Sequence, residues 1–502
     1  MDVAEPRGVL RMAVYKLSRT RGLMNKISRY LFALIAVGSL VMPACQDSNP
    51  LAPVQPSGAY QVVTISDLHF NPLYDPTLYS QLVAAEPGSW AGIFQESKIA
   101  APSIGGTDTN YPLLVLALAG MKQQMAASPM VLFAGDMLGH HIPALFYTQY
   151  YQTPTYPTPD AAATAAMQQF IDKTVAFVAG QVHSAAGNAP VMFAVGNIDT
   201  YGAGAGPDTN YLTNNAPALY TRFLGHTVSQ ATFVSTFTTG GYYSAQPLGS
   251  KLLVISLNSN AFVAGVPGNS FASAELDWLN LQLAAAQDAG QKVWIIMHVP
   301  VGANSQSTAP NAAQAGTPGQ VSESTTAMMW DPTYQATFLQ TLSSYPGVVT
   351  FMLAGHTHMD EYRTLPTGTV LEQLPSISPC FGNNPAFKVF TIGRDTLAAT
   401  DYQSFYFDLA NPAGQFAGLY QLSTSYSAQG PLDSSLQLLY SQLVGSETQR
   451  AAYIQYYDSG STALNPNTQT PWNPISNANW PIFACTISAI DEPGYIQCVN
   501  TY

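Results

Sequence analysis

Seven side chains that can bind a metal ion follow apolar segments of this sequence. They are Asp67, His69, Asp136, Asn197, His298, His356 and His358. The apolar segments are short and rich in β-forming residues, which predicts buried strands. Side chains at strand ends lie at the carboxyl edge of an open α/β sheet, where such folds bind ligands. The sequence therefore predicts that distant parts of the chain meet at one site.

The spacing within two of these clusters strengthens the prediction. Asp67 and His69 are two residues apart, as are His356 and His358. Residues two apart in an extended chain point to the same side, so each pair can hold one cation. Read in isolation, the first pair also suits a polar surface, and a single histidine or asparagine at a strand end suits a structural role or a turn. The prediction therefore depends on all the clusters together.

The number and type of ligands indicate two metal ions. Seven nitrogen and oxygen ligands are too many for one zinc ion and suit two ions that share a carboxylate. Mixed imidazole and carboxylate ligation favours Zn, with Fe or Mn as alternatives, over Mg or Ca. We therefore expect two divalent cations as the cofactors.

Helices are predicted ahead of three of these strands. Helical spacing and composition predict helices over 111–127, 161–183 and 333–344, and each precedes an apolar strand that ends in a candidate ligand. Strands that alternate with helices in this way position polar side chains at one edge of a sheet.

The first 44 residues predict an export signal. Basic residues precede an apolar stretch, 31–44, that is too short for a membrane span and suits a secretory signal. The end of this stretch resembles a lipoprotein cleavage box, so lipidation of Cys45, simple cleavage nearby and an uncleaved anchor all stay open. We expect an exported protein: periplasmic, secreted, or an outer-membrane lipoprotein associated with the membrane through Cys45. Residues 45–58 would form a tether.

The charge balance argues against one class of partner. The 502-residue sequence has 17 basic and 29 acidic residues, of which seven basic and two acidic ones lie in residues 1–44, so the remainder has a net charge of −17. A surface of this kind repels long polyanions. Nucleic acid is therefore not an expected partner.

The cysteines predict one covalent link. Cys485 and Cys498 lie near the C-terminus of a chain expected to be exported, which predicts a disulfide that closes a short loop. If Cys45 is lipidated, Cys380 remains as a buried free thiol.

The order and spacing of the ligand clusters resembles the calcineurin-like metallophosphoesterase superfamily over about residues 60–400. The resemblance implies an α/β (α+β) fold, a four-layer αββα sandwich of two mixed sheets flanked by helices, with a dimetal site at the carboxyl ends of the strands. It implies that Asp67, His69, Asp136 and His358 hold one metal, and that Asp136, Asn197, His298 and His356 hold the other. Asp136 would bridge the two ions.

Four stretches resemble the acid sphingomyelinase branch of that superfamily. They are Gly135-Asp136-Met137-Leu138-Gly139-His140, Ser256-Leu257-Asn258, Gly355-His356-Thr357-His358-Met359-Asp360-Glu361, and Gly382-Asn383-Asn384-Pro385-Ala386-Phe387-Lys388-Val389. Two features depart from the branch. No saposin-like six-cysteine region precedes the ligand clusters, and Ile198 stands where many relatives carry a catalytic histidine.

The resemblance implies a metal-dependent phosphodiesterase that hydrolyses a small-molecule or lipid phosphoester, either a sphingomyelin-like lipid or a nucleotide-type diester, with metal-activated water. Because Ile198 cannot donate a proton, we hypothesise that His140 is the general acid for the leaving alkoxide. The alternative is that His140 only supports a metal ligand. Two other functions stay open: an endopolyphosphatase-like phosphohydrolase, which the acidity disfavours, and a non-catalytic binding protein on the same scaffold.

The C-terminal part of the sequence has a different character. We expect a catalytic domain over 59–400 and a helical subdomain over 401–502, where aromatic residues are frequent. The segment Ser446-Glu447-Thr448-Gln449 has the pattern of a capping box and predicts a helix start.

Overall fold

The structure is a computed structural model that describes residues 58–202, 207–263, 265, 270–465, 468–470 and 472–502. The expected leader, Cys45 and nearly all of the expected tether lie outside the described residues. Residues Val54–Tyr502 belong to one compact unit. The described residues include all seven candidate ligands and His140.

Two six-stranded sheets form the centre of the fold. The first has the strand order β12-β11-β10-β1-β2-β3 and the second β4-β5-β6-β7-β9-β8. The strands in the described residues are β1 (Ala59–Ile65), β2 (Val131–Phe133), β3 (Val191–Phe193), β4 (Tyr243–Ala245), β5 (Leu252–Ser256), β6 (Lys292–Ile296), β7 (Val349–Ala354), β8 (Glu361–Thr364), β9 (Val370–Gln373), β10 (Ala386–Gly393), β11 (Ala399–Tyr406) and β12 (Ala417–Gln421).

Fifteen α-helices connect and cover these strands within the described residues. They are α1 (Tyr79–Ala84), α2 (Trp90–Phe94), α3 (Tyr111–Gln124), α4 (Ile142–Tyr150), α5 (Ala161–Ala186), α6 (Thr209–Leu219), α7 (Gln230–Gly240), α8 (Ser270–Asp288), α9 (Ser305–Gln314), α10 (Pro332–Ser344), α11 (Leu422–Ser425), α12 (Leu432–Gly445), α13 (Glu447–Tyr457), α14 (Trp480–Ala484) and α15 (Glu492–Thr501).

Both sheets are mixed, and their parallel strands form one half of the first sheet and the centre of the second. β1, β2 and β3 run parallel in the first sheet, as do β5, β6, β7 and β9 in the second. β10 is antiparallel to β1, and β4 and β8 are antiparallel edge strands. Parallel strands are buried on both faces, which explains their nearly continuous apolar sequences.

The two sheets pack face to face. Phe351 of β7 contacts Phe390 of β10 with ring centroids 4.9 Å apart, and the Trp294 indole N–H donates to the Leu397 carbonyl at 2.7 Å. The opposite face of the second sheet packs against α8 and α10, and α3 and α5 pack over the first sheet. The layers are therefore helix, sheet, sheet and helix, as the resemblance implied.

Helix starts follow the capping residues in the sequence. The Asn110 side chain accepts the Leu113 N–H ahead of α3, and the Asp160 side chain accepts the Ala163 N–H ahead of α5. Ser446 accepts the Gln449 N–H at 3.4 Å ahead of α13, which confirms the predicted helix start. Each side chain satisfies an N–H that the first helical turn leaves unpaired.

The expected boundary at residue 400 falls inside a strand. β11 and β12 extend the first sheet, so the expectation of a helical region from 401 onwards is wrong for its first part, and the helices begin with α11. Aromatic residues favour strands at least as well as helices, and Tyr402 and Phe405 face packed neighbours within the sheet structure. The C-terminal end contains the predicted disulfide, Cys485–Cys498, with its Cα atoms 5.9 Å apart.

Among the described residues, no helix has the length and apolar character needed to cross a bilayer.

Candidate metal centre

The seven predicted ligands meet at the carboxyl ends of strands from both sheets. They follow β1, β2 and β3 in the first sheet and β6 and β7 in the second. Asp67, His69 and His298 are fully buried, and Asp136 and His358 are each only 2% exposed. Asn197 and His356 are half-buried and border the opening of the site.

Asp67, His69 and His358 form the first cluster. The His69 and His358 Nε2 atoms are 3.1 Å apart. The Asp67 Oδ1 atom lies 3.3 Å from His358 Nε2 and 3.6 Å from His69 Nε2. Three ligand atoms therefore surround a single point.

Asn197, His298 and His356 form the second cluster. The Asn197 Oδ1 atom lies 2.9 Å from His298 Nε2 and 2.9 Å from His356 Nδ1. An amide oxygen is the only metal-binding atom that asparagine has, and here it faces two imidazole nitrogens.

Asp136 links the two clusters. Its Oδ2 atom lies 3.3 Å from His69 Nε2 and 3.1 Å from His298 Nε2. Its Oδ1 atom accepts the Ile198 N–H at 2.9 Å, which fixes the direction of the carboxylate. One carboxylate thus contacts ligands from both sides, the position that a shared ligand requires.

The hydrogen bonds of the histidines show that the clusters need cations. His69 Nδ1 donates to the Leu138 carbonyl at 3.0 Å, and His298 Nδ1 donates to the Ala134 carbonyl at 2.8 Å. A carbonyl oxygen only accepts, so each Nδ1 carries a proton and each Nε2 faces Asp136, where it can bind either a second proton or a metal ion. Lone pairs that face carboxylate oxygens at these distances need a positive charge between them. The residues therefore fit two metal ions.

The buried carboxylates attract positive charge to the histidines, held as a proton on Nε2 or as a metal ion in its place. Burial alone would lower the pKa of His69, but the Asp136 and Asp67 carboxylates outweigh it and raise that pKa to about 9. The same balance of burial and carboxylates raises the pKa of His298 to about 9. Burial and the neighbouring His298 lower the pKa of His356 to about 4, which keeps that imidazole neutral, the form that binds metals.

The backbone at the ligands is unusual. Five of the seven ligands have a positive φ: Asp67 (50°), His69 (40°), Asp136 (56°), His356 (74°) and His358 (65°). The expectation that paired ligands point together because the chain is extended is therefore wrong. Such conformations cost about 1–3 kcal/mol each and persist where surrounding structure enforces them.

Backbone contacts between the loops enforce these conformations. The Asp67 N–H donates to the Gly135 carbonyl at 2.9 Å, and the His69 N–H donates to the Asp136 carbonyl at 3.0 Å. Glycines allow the close approach: a Cβ at Gly135 would lie 2.8 Å from the Gly196 nitrogen, and a Cβ at Gly196 would collide with the Asp136 carboxylate. The loops after β1, β2 and β3 therefore hold each other in place.

Asp199 is a supporting residue that the sequence did not single out. Its carboxylate accepts four backbone N–H groups, those of Asp136, Met137, Leu138 and Gly196, at 2.9–3.2 Å. It thereby joins the loop that carries Asp136 to the loop that carries Asn197. The sequence places this acidic residue two positions after the candidate ligand Asn197. It does not show which N–H groups the carboxylate accepts.

His140, the hypothesised general acid, lies beside the first cluster. Its ring stacks on that of His69 with centroids 4.1 Å apart, and its Nδ1 is 2.8 Å from Asp108 Oδ1. The backbone N–H of His140 also donates to Asp108 Oδ2, at 2.6 Å. The side chain is 28% exposed, so the structure brings it to the edge of the site. Cys380, a free cysteine of intermediate burial, has its Sγ 3.4 Å from His358 Nδ1.

The chain is similar in sequence to curated proteins over most of its length. No protein-family model matches it. The chain is 25% identical over 418 residues to sphingomyelinase phosphodiesterase D of Dictyostelium discoideum, covering 75% of this chain and 84% of the relative. It is 23% identical over 492 residues to the cyclic GMP-AMP phosphodiesterase SMPDL3A of Mus musculus, covering 90% of this chain and 95% of the relative.

Solved structures align more weakly. A dimetal phosphatase from Danio rerio covers 72% of this chain and 98% of its own, with 12% identity and a TM-score of 0.38. Purple acid phosphatase PPD1 from yellow lupin covers 72% of this chain and 53% of its own, with 12% identity and a TM-score of 0.36. The curated relatives confirm the resemblance drawn from the sequence motifs, and with it the expected class of enzyme, a metal-dependent phosphoester hydrolase.

Proposed function

We propose that this chain, a relative of the acid sphingomyelinase-like phosphodiesterases, hydrolyses a phosphodiester at a centre of two divalent metal ions. The observation that carries the proposal is the position of Asp136, whose carboxylate contacts a histidine of each ligand cluster. A shared carboxylate between two sets of ligands is the arrangement of two-metal phosphoester hydrolases. We propose zinc as the metal, because imidazole ligands outnumber carboxylates, with iron or manganese as alternatives.

The proposed ligand sets follow the two clusters. Asp67, His69, Asp136 and His358 would hold one ion, and Asp136, Asn197, His298 and His356 would hold the other. Bound there, two divalent ions would offset the negative charge of a phosphodiester and lower the pKa of a water molecule at the site. Carbonyl contacts behind His69 and His298 fix the ring directions, which keeps their Nε2 atoms turned towards Asp136.

His140 is proposed as the proton donor to the leaving oxygen. Ile198 has no proton to give, and His140 is the next imidazole at the opening of the site. The Asp108 carboxylate accepts from Nδ1 and fixes the direction of the ring, which leaves Nε2 as the atom that would transfer a proton. The stacking on His69 supports the alternative role as well, in which His140 only steadies a metal ligand.

Leaving groups of different basicity separate these two roles. In a His140→Asn variant, a lost general acid should slow diesters with a poor leaving group by about 10²–10⁴-fold and leave p-nitrophenyl diesters much less affected. Metal content is measured in parallel. If the hydrolysis rate falls by the same factor for all leaving groups and metal is lost as well, His140 only supports a metal ligand.

The proposed substrate is a phosphodiester of the lipid or nucleotide type. The curated relatives are named for activity on sphingomyelin and on cyclic GMP-AMP, and both names describe phosphodiesterases. For this chain, the exported location expected from the sequence agrees with the Cys485–Cys498 disulfide, since disulfides persist in oxidising compartments. Lipidation of Cys45 stays a proposal, tested by the mass of the mature N-terminal peptide.

Hydrolysis of bis-p-nitrophenyl phosphate tests the proposed function. The protein is stripped with a chelator and reloaded with zinc, iron or manganese, and release of p-nitrophenol is recorded. We expect activity that depends on added metal and is lost in Asp136→Asn. A protein that binds two metals and the diester without hydrolysing it would instead support the binding protein, which Ile198 alone favours.

A further inference from the structure

A cavity of about 440 Å³ opens beside the metal centre. It lies between the loops that follow β2 and β3 and the helices α4 and α5, and two residues of the site, His140 and Asn197, form part of its wall. Its size is within the range of about 300–1,000 Å³ that is usual for small-molecule pockets. We refer to it as the leaving-group cavity, for the reason given below.

The wall of the leaving-group cavity is mainly apolar. Its apolar side chains are Leu138, Ile142, Tyr147, Tyr156, Ile171 and Ile198. Among the described residues that line it, none is Asp, Glu, Lys or Arg. His140 and His141 are the titratable side chains among the described lining residues, apart from the two tyrosines, and over the apolar part of the wall a charged group would lose its hydration without gaining a partner.

The packing indicates that the wall is built into the fold. Leu138 and Ile142 are each 1% exposed and Ile171 is fully buried, so their positions are set by the core. The Tyr147 and Tyr156 rings pack with centroids 5.4 Å apart and form one side. Ile198 joins this surface directly after the candidate ligand Asn197 and adds a branched apolar side chain to it.

A second cleft beside His356 has a different character. Its volume is about 430 Å³, and its lining includes the polar side chains of Asn304, Gln306 and Ser307 together with Phe381 and Trp472. Polar groups of a substrate would be accommodated better there than in the leaving-group cavity. The leaving-group cavity therefore suits apolar groups of a substrate, and the cleft beside His356 suits polar groups.

We propose that the leaving-group cavity binds the alcohol released by hydrolysis, and that this alcohol is uncharged and apolar, with a single short chain or a ring. The inference rests on the proposed function and narrows its substrate class. His140 borders both the metal centre and the cavity, so the oxygen that receives its proton lies on the cavity side. A charged nucleotide would not fit this wall, and the volume favours one short apolar group over two long chains.

The reaction balances without another reactant. Water adds its oxygen to phosphorus, the bond between phosphorus and the alcohol oxygen breaks, and His140 gives a proton to that oxygen. The products are a phosphomonoester and the free alcohol. The proton released from water restores His140 or enters the solvent.

A series of methyl 4-alkylphenyl phosphates tests the inference. The alkyl group grows from methyl to hexyl while the basicity of the leaving phenol stays nearly constant, so only apolar contact changes. We expect kcat/KM to rise by up to about fourfold for each added methylene group until the cavity is filled. A 4-(2-carboxyethyl)phenyl ester of similar length to the butyl compound should fall well below that compound.

Binding of the free 4-alkylphenols gives a readout that does not need catalysis. Their dissociation constants, measured by calorimetry on metal-free and metal-loaded protein, should fall with chain length by a similar factor. Ala144→Leu, on the cavity wall, should remove the dependence of kcat/KM and of the dissociation constant on chain length for the long alkyl groups. The values for the methyl compounds should stay the same. Ala451→Leu, at an exposed position of α13, is the matched control and should change neither kcat/KM nor the dissociation constant. If Ala144→Leu does not fold, Tyr156→Ser is the substitute, and it should reduce the change in kcat/KM and in the dissociation constant for each added methylene group.

The outcomes separate the two proposals. Hydrolysis and phenol binding that are both independent of chain length would overturn the inference while the proposed function stands. Absence of hydrolysis for every diester, bis-p-nitrophenyl phosphate included, would overturn the proposed function and the leaving-group assignment. Length-dependent phenol binding would then show only that the cavity takes an apolar ligand.

Discussion

Asp199 provides a quantitative test of how the site is held together. Its carboxylate Oδ1 accepts the N–H groups of Met137 and Leu138, and Oδ2 accepts those of Asp136 and Gly196. In Asp199→Asn, an NH₂ group replaces one of the two oxygens. Whichever way the amide turns, two buried N–H groups then face a donor instead of an acceptor.

The expected loss of stability combines two opposing effects. Each hydrogen bond to a charged group is worth about 1.5–3 kcal/mol, so two lost bonds cost about 3–6 kcal/mol. Burial and the nearby Asp136 carboxylate raise the pKa of Asp199 to about 6, so removing its charge offsets part of that cost. We expect a net decrease of up to about 3 kcal/mol in the free energy of unfolding.

Urea unfolding of the variant and the wild type, with and without metal, measures this difference. Because the variant loosens the loops that carry Asp136 and Asn197, metal affinity should also fall by about 10–100-fold in chelator competition. Asp331→Asn is the control, because Asp331 caps α10 through one N–H and asparagine caps equally well. An Asp199→Asn protein with unchanged stability and metal affinity would refute this account of the loops.

Three further changes have expected outcomes. Gly196→Ala places a Cβ against the Asp136 carboxylate, so it should lower metal content and activity while the far-ultraviolet circular dichroism stays unchanged. Burial raises the pKa of Asp458 to about 7, so the stability provided by its neutral form is full below the unfolded pKa and is lost as pH rises through about 7. Asparagine does not ionise, so the free energy of unfolding of Asp458→Asn should rise relative to that of the wild type as the pH is raised from 5 to 8. Urea unfolding should show a relative rise of at most about 2–3 kcal/mol. Replacing Cys485 and Cys498 by serine should cost about 3 kcal/mol in the same assay, because the disulfide closes a loop with a sequence separation of 13.

The candidate ligands could be picked out from the sequence because their chemistry is local. Each candidate, such as Asp136 or His298, ends an apolar run, and the fold brings the carboxyl ends of those runs together. The backbone conformation was not predictable in this way. The positive φ at Asp67 and His356 depends on hydrogen bonds between loops that are far apart in sequence.

Other elements were missed for related reasons. Asp199 is close to Asn197 in sequence, but its role depends on N–H groups about 60 residues earlier in the chain, which no local pattern reveals. The aromatic residues of β11 were assigned to a helical region, because single aromatic residues do not distinguish a strand from a helix without knowledge of their partners. Long-range pairing determines both features.

The metal content of the purified protein tests the central claim most directly. Wild type and Asp136→Asn are expressed with zinc, iron and manganese available, desalted, and measured by inductively coupled plasma mass spectrometry against protein concentration. We expect close to two metal ions per wild-type chain, with zinc in excess, and fewer than one in Asp136→Asn, because an amide cannot bridge two cations as a carboxylate does. A wild-type chain with at most one ion, or an Asp136→Asn chain that keeps two, would contradict a centre built around a shared Asp136.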